Sequence, residues 1–253
     1  MKDPFGLSDR RILVTGGTRG IGRAISLRLA AAGASVIANY AKNDVAAEAL
    51  VAEADARELD LRICRADLTT RKGLDAVHEQ ANVSDRKTLG MVHCAATGIH
   101  RPFEELTTRH YEWTFSLNLR AFAEVVKLLL PGMVAGSPIL ALSSEGAVRA
   151  VPNYSFVGAS KAALEALARH LASELAPRGI RVNVLSPGTV LTEAWDAFPD
   201  KDRRLDEARS RTPLGRLVTA EEVAHTAQFL CSGAASGIVG QTVVIDGGAR
   251  IVQ

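Results

Sequence analysis

The chain has 253 residues, 47% of them hydrophobic, and a net charge of +2 with its histidines neutral. This length suits one sizeable α/β domain, and the small net charge gives no reason to expect nucleic acid as a partner. No run approaches the roughly 18 consecutive apolar residues of a membrane-spanning helix, and no apolar leader opens the chain, so we expect a cytoplasmic protein without a membrane partner. The three cysteines are scattered along the chain, so we expect free thiols in a reducing compartment. We expect no metal site, because the spacing of metal ligands is not found at His93, Cys94, His100 and His110.

Short apolar runs alternate with segments of helical periodicity along the chain. The runs predict seven strands, over 12–14, 35–38, 62–65, 91–95, 139–142, 182–185 and 242–245. The segments between them predict helices over 21–32, 44–59, 71–80 and 154–175, and helical segments over 104–130. Strands that are apolar almost throughout and alternate with helices form a parallel sheet that is buried on both faces. The sequence therefore predicts one α/β domain over residues 1–253, a single Rossmann-type doubly wound parallel sheet of about seven strands flanked by helices.

A glycine-rich segment, residues 15–22, lies between the first strand and the first helix. Gly16 allows a tight turn, Gly20 lets backbone approach a pyrophosphate, and Gly22 permits close packing of the helix. The N-terminus of that helix presents free N–H groups and the positive end of its dipole to a phosphate. A glycine cluster alone is also compatible with an ordinary turn, but its place in a βαβ unit predicts a dinucleotide site.

The residues after the second strand predict which dinucleotide is bound. NAD sites usually hold an acid there, which binds the ribose hydroxyls. In this chain the stretch 39–43 contains no acid, and the first one is Asp44. Arg19 and Lys42 are placed to face a 2′-phosphate, although each could instead be an ordinary surface charge. The sequence therefore predicts NADPH in preference to NADH.

The glycines follow the TGxxxGxG pattern of the short-chain dehydrogenase/reductase family, which the chain resembles over essentially its whole length. Asn118, Ser143-Ser144, Ser186-Pro187-Gly188 and Asp246-Gly247-Gly248 match further family motifs. The resemblance implies an oxidoreductase that forms homo-oligomers, usually tetramers packed through the long helices. It also implies the following cofactor contacts: Gly16, Thr18, Arg19, Gly20, Ile21, Gly22, Tyr40, Lys42, Asp67, Leu68, Ala95, Lys161, Pro187, Gly188, Val190 and Thr192.

The spacing of the expected tyrosine and lysine departs from the commoner family pattern, Tyr-x3-Lys. Four residues before Lys161 stands Val157, which cannot donate a proton, and Tyr154 is the nearest tyrosine. Seven helical steps rotate by about 700°, so Tyr154 and Lys161 would share one face about two turns apart. That reach is long, so we expect Tyr154 just before or at the start of the helix. The Tyr-x6-Lys spacing resembles that of the enoyl-acyl-carrier-protein reductases in this superfamily.

Other segments bear on the reaction. Residues 146–154 and the pair His93-Cys94 resemble the enoyl reductases, and residues 197–200, 212–216 and 240–242 look most like the NADPH-dependent type III enzyme. Ser144, in contrast, is normal for ketoreductases, whereas many enoyl reductases carry a second tyrosine there. Three hypotheses remain: NADPH-dependent reduction of an enoyl thioester in fatty acid or related biosynthesis, NADPH-dependent reduction of a 3-oxoacyl thioester or a secondary-metabolite ketone, and a non-catalytic NADPH-binding protein.

The resemblance implies a catalytic role for four residues. Tyr154 would donate a hydrogen bond to the oxygen that gains negative charge. Lys161 would hold the nicotinamide ribose and lower the pKa of the Tyr154 phenol. Asn118 would hold a backbone or water link beneath Lys161, and Ser144 would be either a second donor or part of the pocket wall.

The highly charged segment 191–212 corresponds in this family to a substrate lid. Its aromatic residues, Trp195 and Phe198, could cover an acyl chain. Its bases could meet an acidic acyl carrier protein, although a run of charges is more often a solvated helix face. These bases are Lys201, Arg203, Arg204, Arg209 and Arg211.

Overall fold

The computed structural model describes residues 4–81, 88–193 and 200–252, in which seven strands form one sheet. The strands are β1 (Arg10–Thr15), β2 (Ser35–Tyr40), β3 (Leu61–Arg65), β4 (Thr88–His93), β5 (Pro138–Leu142), β6 (Arg181–Pro187) and β7 (Thr242–Ile245). All neighbours pair in parallel in the order β3-β2-β1-β4-β5-β6-β7. The predicted doubly wound parallel sheet is confirmed, and every strand ends within three residues of its predicted bounds.

Helices cover both faces of the sheet. They are α1 (Gly20–Ala31), α2 (Asp44–Ala56), α3 (Arg71–Ala81), α4 (Thr108–Phe115), α5 (Ala121–Leu129), α6 (Ser155–Leu175), α7 (Lys201–Ser210) and α8 (Ala220–Cys231). The helical segments predicted over 104–130 are two helices, because a capping box at Thr107 starts α4 and a π-helical turn, Ser116–Arg120, separates it from α5. Helices α7 and α8 are absent from the sequence prediction. No helix in the described ranges is long and apolar enough to cross a membrane.

Side chains of each strand alternate between two hydrophobic cores. Ile12 and Val14 of β1 belong to the core that contains residues of α1, α2 and α8. Leu13 points to the opposite face, into the core that contains residues of α3, α5 and α6. The almost unbroken apolar runs of the sequence are therefore explained by burial on both faces of the sheet.

The sheet places its loops around one crevice. The strand order reverses between β1 and β4, and ligands of open α/β sheets bind beyond the carboxyl ends of the strands at such a point. Thr15, the last residue of β1, lies beside His93, the last residue of β4, and His93 lies beside Ala141 of β5. The loops that follow these strands therefore meet at the same edge.

Candidate active site

The glycine loop after β1 leaves the N-terminus of α1 open to an anion. Arg19 is the extended residue that precedes α1, and within the described chain no side chain caps the helix and no acid lies in its first turn. Gly16 has a left-handed φ of 62°, and a Cβ there would lie 2.9 Å from Cα of Ala95. A Cβ at Gly22 would overlap the carbonyl oxygen of Gly16. The loop therefore folds tightly and directs free N–H groups toward a phosphate.

Three cavities follow one another along the carboxyl edge of the sheet. The outer cavity, of about 450 Å³, brings together eight of the predicted contacts: Gly16, Thr18, Arg19, Tyr40, Lys42, Asp67, Leu68 and Ala95. The central cavity, of about 350 Å³, brings together Arg19, Gly20, Ile21, Gly22, Ser144, Tyr154, Lys161, Pro187 and Thr192. The side cavity, of about 320 Å³, shares Ser144 and Tyr154 with the central one. Two predicted cofactor contacts, Gly188 and Val190, line the side cavity instead.

Positive charge predominates at the end of the outer cavity near β2. Asp44 accepts a hydrogen bond from the Tyr40 hydroxyl at 3.0 Å and pairs with Arg65 at 3.1 Å, so its charge is compensated. Hydrogen bonds from Thr69 hold the pKa of Asp67 below its usual range, and the positive charge of Lys42 acts in the same direction. Lys42 therefore lies close enough to the cavity to act on an anion bound there.

Two residues of the outer cavity were not found from the sequence. Trp113 of α4 and Leu117 of the π-helical turn both line it. The indole of Trp113 is about half exposed, at 47%. No local sequence signal marks these residues, because the π-helical turn beside them depends on hydrogen bonds between Asn118 and the distant Thr97.

Tyr154 lies where the spacing predicts, as the residue that caps the N-terminus of α6. The preceding residue, Asn153, has a left-handed φ of 60°, a conformation that asparagine tolerates better than most residues. The Tyr154 hydroxyl donates a hydrogen bond to Oγ of Ser144 at 3.3 Å. Val157, at the position of the commoner family tyrosine, is buried, and a Cβ at Gly98 would overlap its side chain.

The expected lowering of the Tyr154 pKa is not found. Burial raises the pKa of the phenol, the negative charge of Glu145 adds to the rise, and the bond to Ser144 only partly opposes it. Burial also lowers the pKa of Lys161 to about 8. Lys161 Nζ donates to the carbonyl oxygen of Leu142 at 2.7 Å, a partner at the end of β5 that the sequence did not indicate. The two side chains thus share the central cavity, with Tyr154 held as a neutral hydrogen-bond donor.

Asn118 holds the loop after β4 against α6. It is fully buried in the π-helical turn, and such turns recur at functional sites. Its side chain accepts from the backbone N–H of Thr97 at 2.8 Å and donates to the Thr97 carbonyl at 2.9 Å. It also donates to Oγ of Ser160 at 2.9 Å, beside Lys161. The structure thus shows a link from Asn118 to the residue next to Lys161.

His93 lies under the floor of the site as a neutral imidazole. It is fully buried, and its Nδ1 lies 2.9 Å from the Thr15 hydroxyl, which accepts from the N–H of Ala95 at 3.2 Å. Burial, reinforced by the positive charge of Lys161, lowers its pKa to about 3. In the described ranges no three histidine, cysteine, aspartate or glutamate side chains are grouped so that they could hold a metal ion.

The side cavity contains polar groups that the sequence did not single out for it. His100 lies edge-on to the Tyr154 ring, with 5.1 Å between the ring centroids. Arg204 of α7 and Glu145 also line the cavity, together with apolar Val151 and Pro152. Burial lowers the pKa of His100, and the charge of Arg204 adds to this effect. The aromatic lid residues 195 and 198 lie outside the described residues.

The bases of α7 are largely paired on their own helix. Arg203 pairs with Asp200 at 2.6 Å and with Glu207 at 2.5 Å, and Arg204 pairs with Asp200 at 2.7 Å. Pairs three or four residues apart are typical of a solvated helix face. The alternative interpretation of the charged segment 191–212, as a solvated helix face, therefore gains support.

Together the fold and the three cavities define a dinucleotide-binding oxidoreductase. A family model described as Enoyl-(Acyl carrier protein) reductase matches residues 16–250. The chain is 35% identical over 249 residues to 1-cyclohexenylcarbonyl-CoA reductase of Streptomyces collinus, covering 97% of this chain and 89% of that protein. It is also 35% identical over 245 residues to L-xylulose reductase of Bos taurus, covering 96% and 97% of the two chains.

A solved structure shows the same fold with a dinucleotide. The protein, from Beutenbergia cavernae, was solved with NADP bound at low occupancy; it is 33% identical, covers 98% of this chain and 100% of its own, and superposes with a TM-score of 0.89. The chain belongs to the short-chain dehydrogenase/reductase family and is an oxidoreductase.

Proposed function

We propose that the protein reduces the 2,3 double bond of an enoyl thioester with NADPH. The observation that carries the proposal is the position of Tyr154, which caps α6 two turns before Lys161 and lines the central cavity with it. This arrangement realises the Tyr-x6-Lys spacing of the enoyl-acyl-carrier-protein reductases. The description of the matching family model and the name of the Streptomyces relative, a reductase of an unsaturated acyl-CoA, support the same reaction.

The cavities fit NADPH. The open N-terminus of α1 suits the pyrophosphate, and the outer cavity suits the adenosine. Because Asp44 is compensated by Tyr40 and Arg65, Lys42 and Arg19 are left to attract a 2′-phosphate. The central cavity, which holds Tyr154 and Lys161, then receives the nicotinamide. The NADP bound to the Beutenbergia protein supports this choice.

The chemistry follows from what the side chains can donate. NADPH, when bound, would supply the hydride to the β-carbon of the thioester. The negative charge that then develops on the thioester oxygen as an enolate is removed when the α-carbon takes up a proton from solvent. Because burial keeps the Tyr154 phenol protonated, its hydroxyl donates a hydrogen bond to that oxygen. A preorganised donor of this kind stabilises the transition state by about 3 kcal/mol. Lys161 holds the ribose hydroxyls, and Asn118 keeps the start of α6 in place through Ser160.

A second candidate is reduction of a 3-oxoacyl thioester or another ketone. The hydrogen bond between Tyr154 and Ser144 favours it, because two adjacent hydroxyls suit a carbonyl oxygen that becomes an alkoxide. L-xylulose reductase, named among the relatives, reduces a ketone by its name.

The product separates the two reactions. NADPH carrying deuterium at the transferred position should convert crotonyl-CoA into butyryl-CoA with one deuterium at C3, as detected by mass spectrometry. Unchanged crotonyl-CoA, with labelled 3-hydroxybutyryl-CoA formed from acetoacetyl-CoA, would replace the proposal by the second candidate.

We also propose that the acyl group is presented on acyl carrier protein. The support is the group of bases on α7, although several are paired with acids of the same helix. Replacing Lys201, Arg209 and Arg211 by glutamine should raise KM for the carrier-bound substrate and leave KM for the CoA thioester unchanged. A KM for the carrier-bound substrate equal to that of wild type, or an equal rise of KM for both substrates, would remove this proposal.

We propose a cytoplasmic homotetramer. The exposed aromatic residues Phe103 and Tyr111, at 66% and 45% exposure, lie near the start of α6 and support an interface there. The free thiols of Cys64, Cys94 and Cys231 support a reducing compartment. Light scattering should give a mass of four chains, and a mass of one chain would contradict the assembly.

A further inference from the structure

The turn that follows β7 is packed against the end of β6. Arg250 donates from Nη2 to the hydroxyl of Ser186, which is fully buried and precedes Pro187. A Cβ at Gly188 would lie 2.9 Å from the Cβ of Asp246, so the two segments touch without a gap. Because Pro187 lines both the central and the side cavity, this contact acts on the wall between cofactor and substrate.

The same turn contacts the segment that carries the catalytic hydroxyls. Arg149 donates from Nη1 to the carbonyl oxygen of Ala249 at 2.9 Å. Arg149 lies on the connection between Ser144 and Tyr154, where its own N–H bonds to the carbonyl of Glu145 at 3.0 Å. The C-terminal turn therefore joins the two loops that face each other across the site.

The charged guanidinium of Arg250 is largely buried. Its side chain is 16% exposed and that of Asp246 is 9% exposed, with 3.9 Å between Arg250 Nε and Asp246 Oδ2. Asp246 also accepts from the N–H groups of Gly248 at 2.9 Å and Arg250 at 3.0 Å. Nε of Arg250 has no hydrogen-bond partner among the described residues. A largely buried ion pair contributes little net stability, so stability alone does not account for Arg250 at this position.

We propose that Arg250 is a positioning residue, which fixes Pro187 and Gly188 through Ser186 and so sets the geometry of the nicotinamide end of the site. Among the described residues, the side chain of Arg250 bonds to Ser186 and pairs with Asp246, neither of which lines the outer cavity. Its loss should therefore affect the nicotinamide end and spare the adenosine end. The inference rests on the proposed use of NADPH and is independent of which double bond is reduced.

Binding of two ligands of different length tests this proposal. NADPH spans the outer and central cavities, whereas 2′,5′-ADP reaches only the outer one. In Arg250→Met, Kd for NADPH should rise by roughly tenfold, which corresponds to about 1.4 kcal/mol of lost preorganisation, while Kd for 2′,5′-ADP stays at the wild-type value. Arg250→Lys should recover most of the NADPH affinity. Ile251→Ala, which changes a side chain that is 86% exposed in the same turn, should change neither constant.

A second variant keeps the test decisive if Arg250→Met folds poorly. Ser186→Ala removes the acceptor while retaining Arg250 and should weaken NADPH binding in the same selective way. Wild-type NADPH affinity in both variants, or equal loss of NADPH and 2′,5′-ADP binding, would overturn the proposal. Because binding is measured without an acyl substrate, failure of the proposed reaction would leave this result unaffected; failure of wild type to bind NADPH would instead refute the cofactor assignment.

Discussion

The ring of Tyr154 lies directly on the backbone of Gly146: a Cβ at position 146 would come within 2.5 Å of both Cδ1 and Cε1 of the ring. The absence of a side chain at Gly146 therefore allows a tyrosine at the cap of α6 to turn toward Ser144. A second close approach, between Gly158 and the carbonyl of Gly146, holds the helix against the same turn.

Gly146→Ala should displace the Tyr154 ring and lower kcat. A misplacement of about 1 Å in a catalytic group costs roughly 10²-fold in rate, so we expect kcat to fall by about 10- to 100-fold while Kd for NADPH is unchanged. Steady-state kinetics and fluorescence titration measure the two effects. Gly237→Ala is the matched control, because nothing lies within 4 Å of a Cβ there. Wild-type kcat in Gly146→Ala would show that the ring position does not matter.

Tyr154→Phe should lower kcat by about 10²- to 10³-fold, because it removes the donor to the developing negative charge. NADPH affinity should stay at the wild-type value. The double variant Tyr154→Phe/Val157→Tyr should remain inactive, because position 157 is buried against Gly98 and leaves no room for a phenol. Wild-type kcat in Tyr154→Phe would contradict the assignment of Tyr154, whereas recovery of activity in the double variant would contradict only the packing described at position 157.

Lys42→Glu should shift the cofactor preference from NADPH toward NADH. The exchange places a negative charge where a 2′-phosphate is proposed, so kcat/KM for NADPH should fall by roughly tenfold or more, whereas kcat/KM for NADH changes little. Lys72→Glu on α3 provides a control with the same change of charge. An equal change of kcat/KM for both dinucleotides would show that Lys42 does not recognise the 2′-phosphate.

Lys161 should make stability and activity respond to pH in opposite directions. Burial lowers its pKa from 10.5 to about 8, so below pH 8 the lysine is charged in both the folded and unfolded states and the burial cost is fully present. Between pH 8 and 10.5 the folded state loses the proton first, and the free energy of unfolding should rise by up to about 3 kcal/mol relative to Lys161→Met.

The activity that depends on the ammonium group should decline over the same interval. We expect kcat/KM for NADPH to fall as the pH rises through about 8, while Tyr154 stays protonated because its pKa is raised. A pH profile of kcat/KM, read beside denaturant unfolding of wild type and Lys161→Met, measures both trends. A flat profile between pH 7 and 9.5 would contradict the role given to the charged lysine.

Local sequence signals predict the sheet and the position of the principal donor. Each strand is an apolar run because it is buried on both faces. Seven helical steps separate Tyr154 from Lys161, and this spacing predicts that Tyr154 lies at the start of α6. Helix α8 also carries a local signal, a capping box formed by Thr219 and Glu222, which the sequence prediction overlooked.

Contacts between distant segments account for what the sequence did not predict. The π-helical turn at Asn118 is held by hydrogen bonds to Thr97, 21 residues away, so the pattern of apolar residues over 104–130 does not reveal where α4 ends and α5 begins. The partner of Lys161 at Leu142 and the place of Arg204 in the side cavity likewise arise from tertiary packing. The raised pKa of Tyr154 reflects burial, which the spacing of residues does not reveal.

NADPH oxidation with crotonyl-CoA and with acetoacetyl-CoA, each measured for wild type and Tyr154→Phe, tests the central claim most directly. Enoyl reduction predicts turnover of crotonyl-CoA that is lost in Tyr154→Phe, with little turnover of acetoacetyl-CoA. Turnover of acetoacetyl-CoA alone would contradict enoyl reduction and establish a ketoreductase, in which an inactive Tyr154→Phe would still identify Tyr154 as the donor.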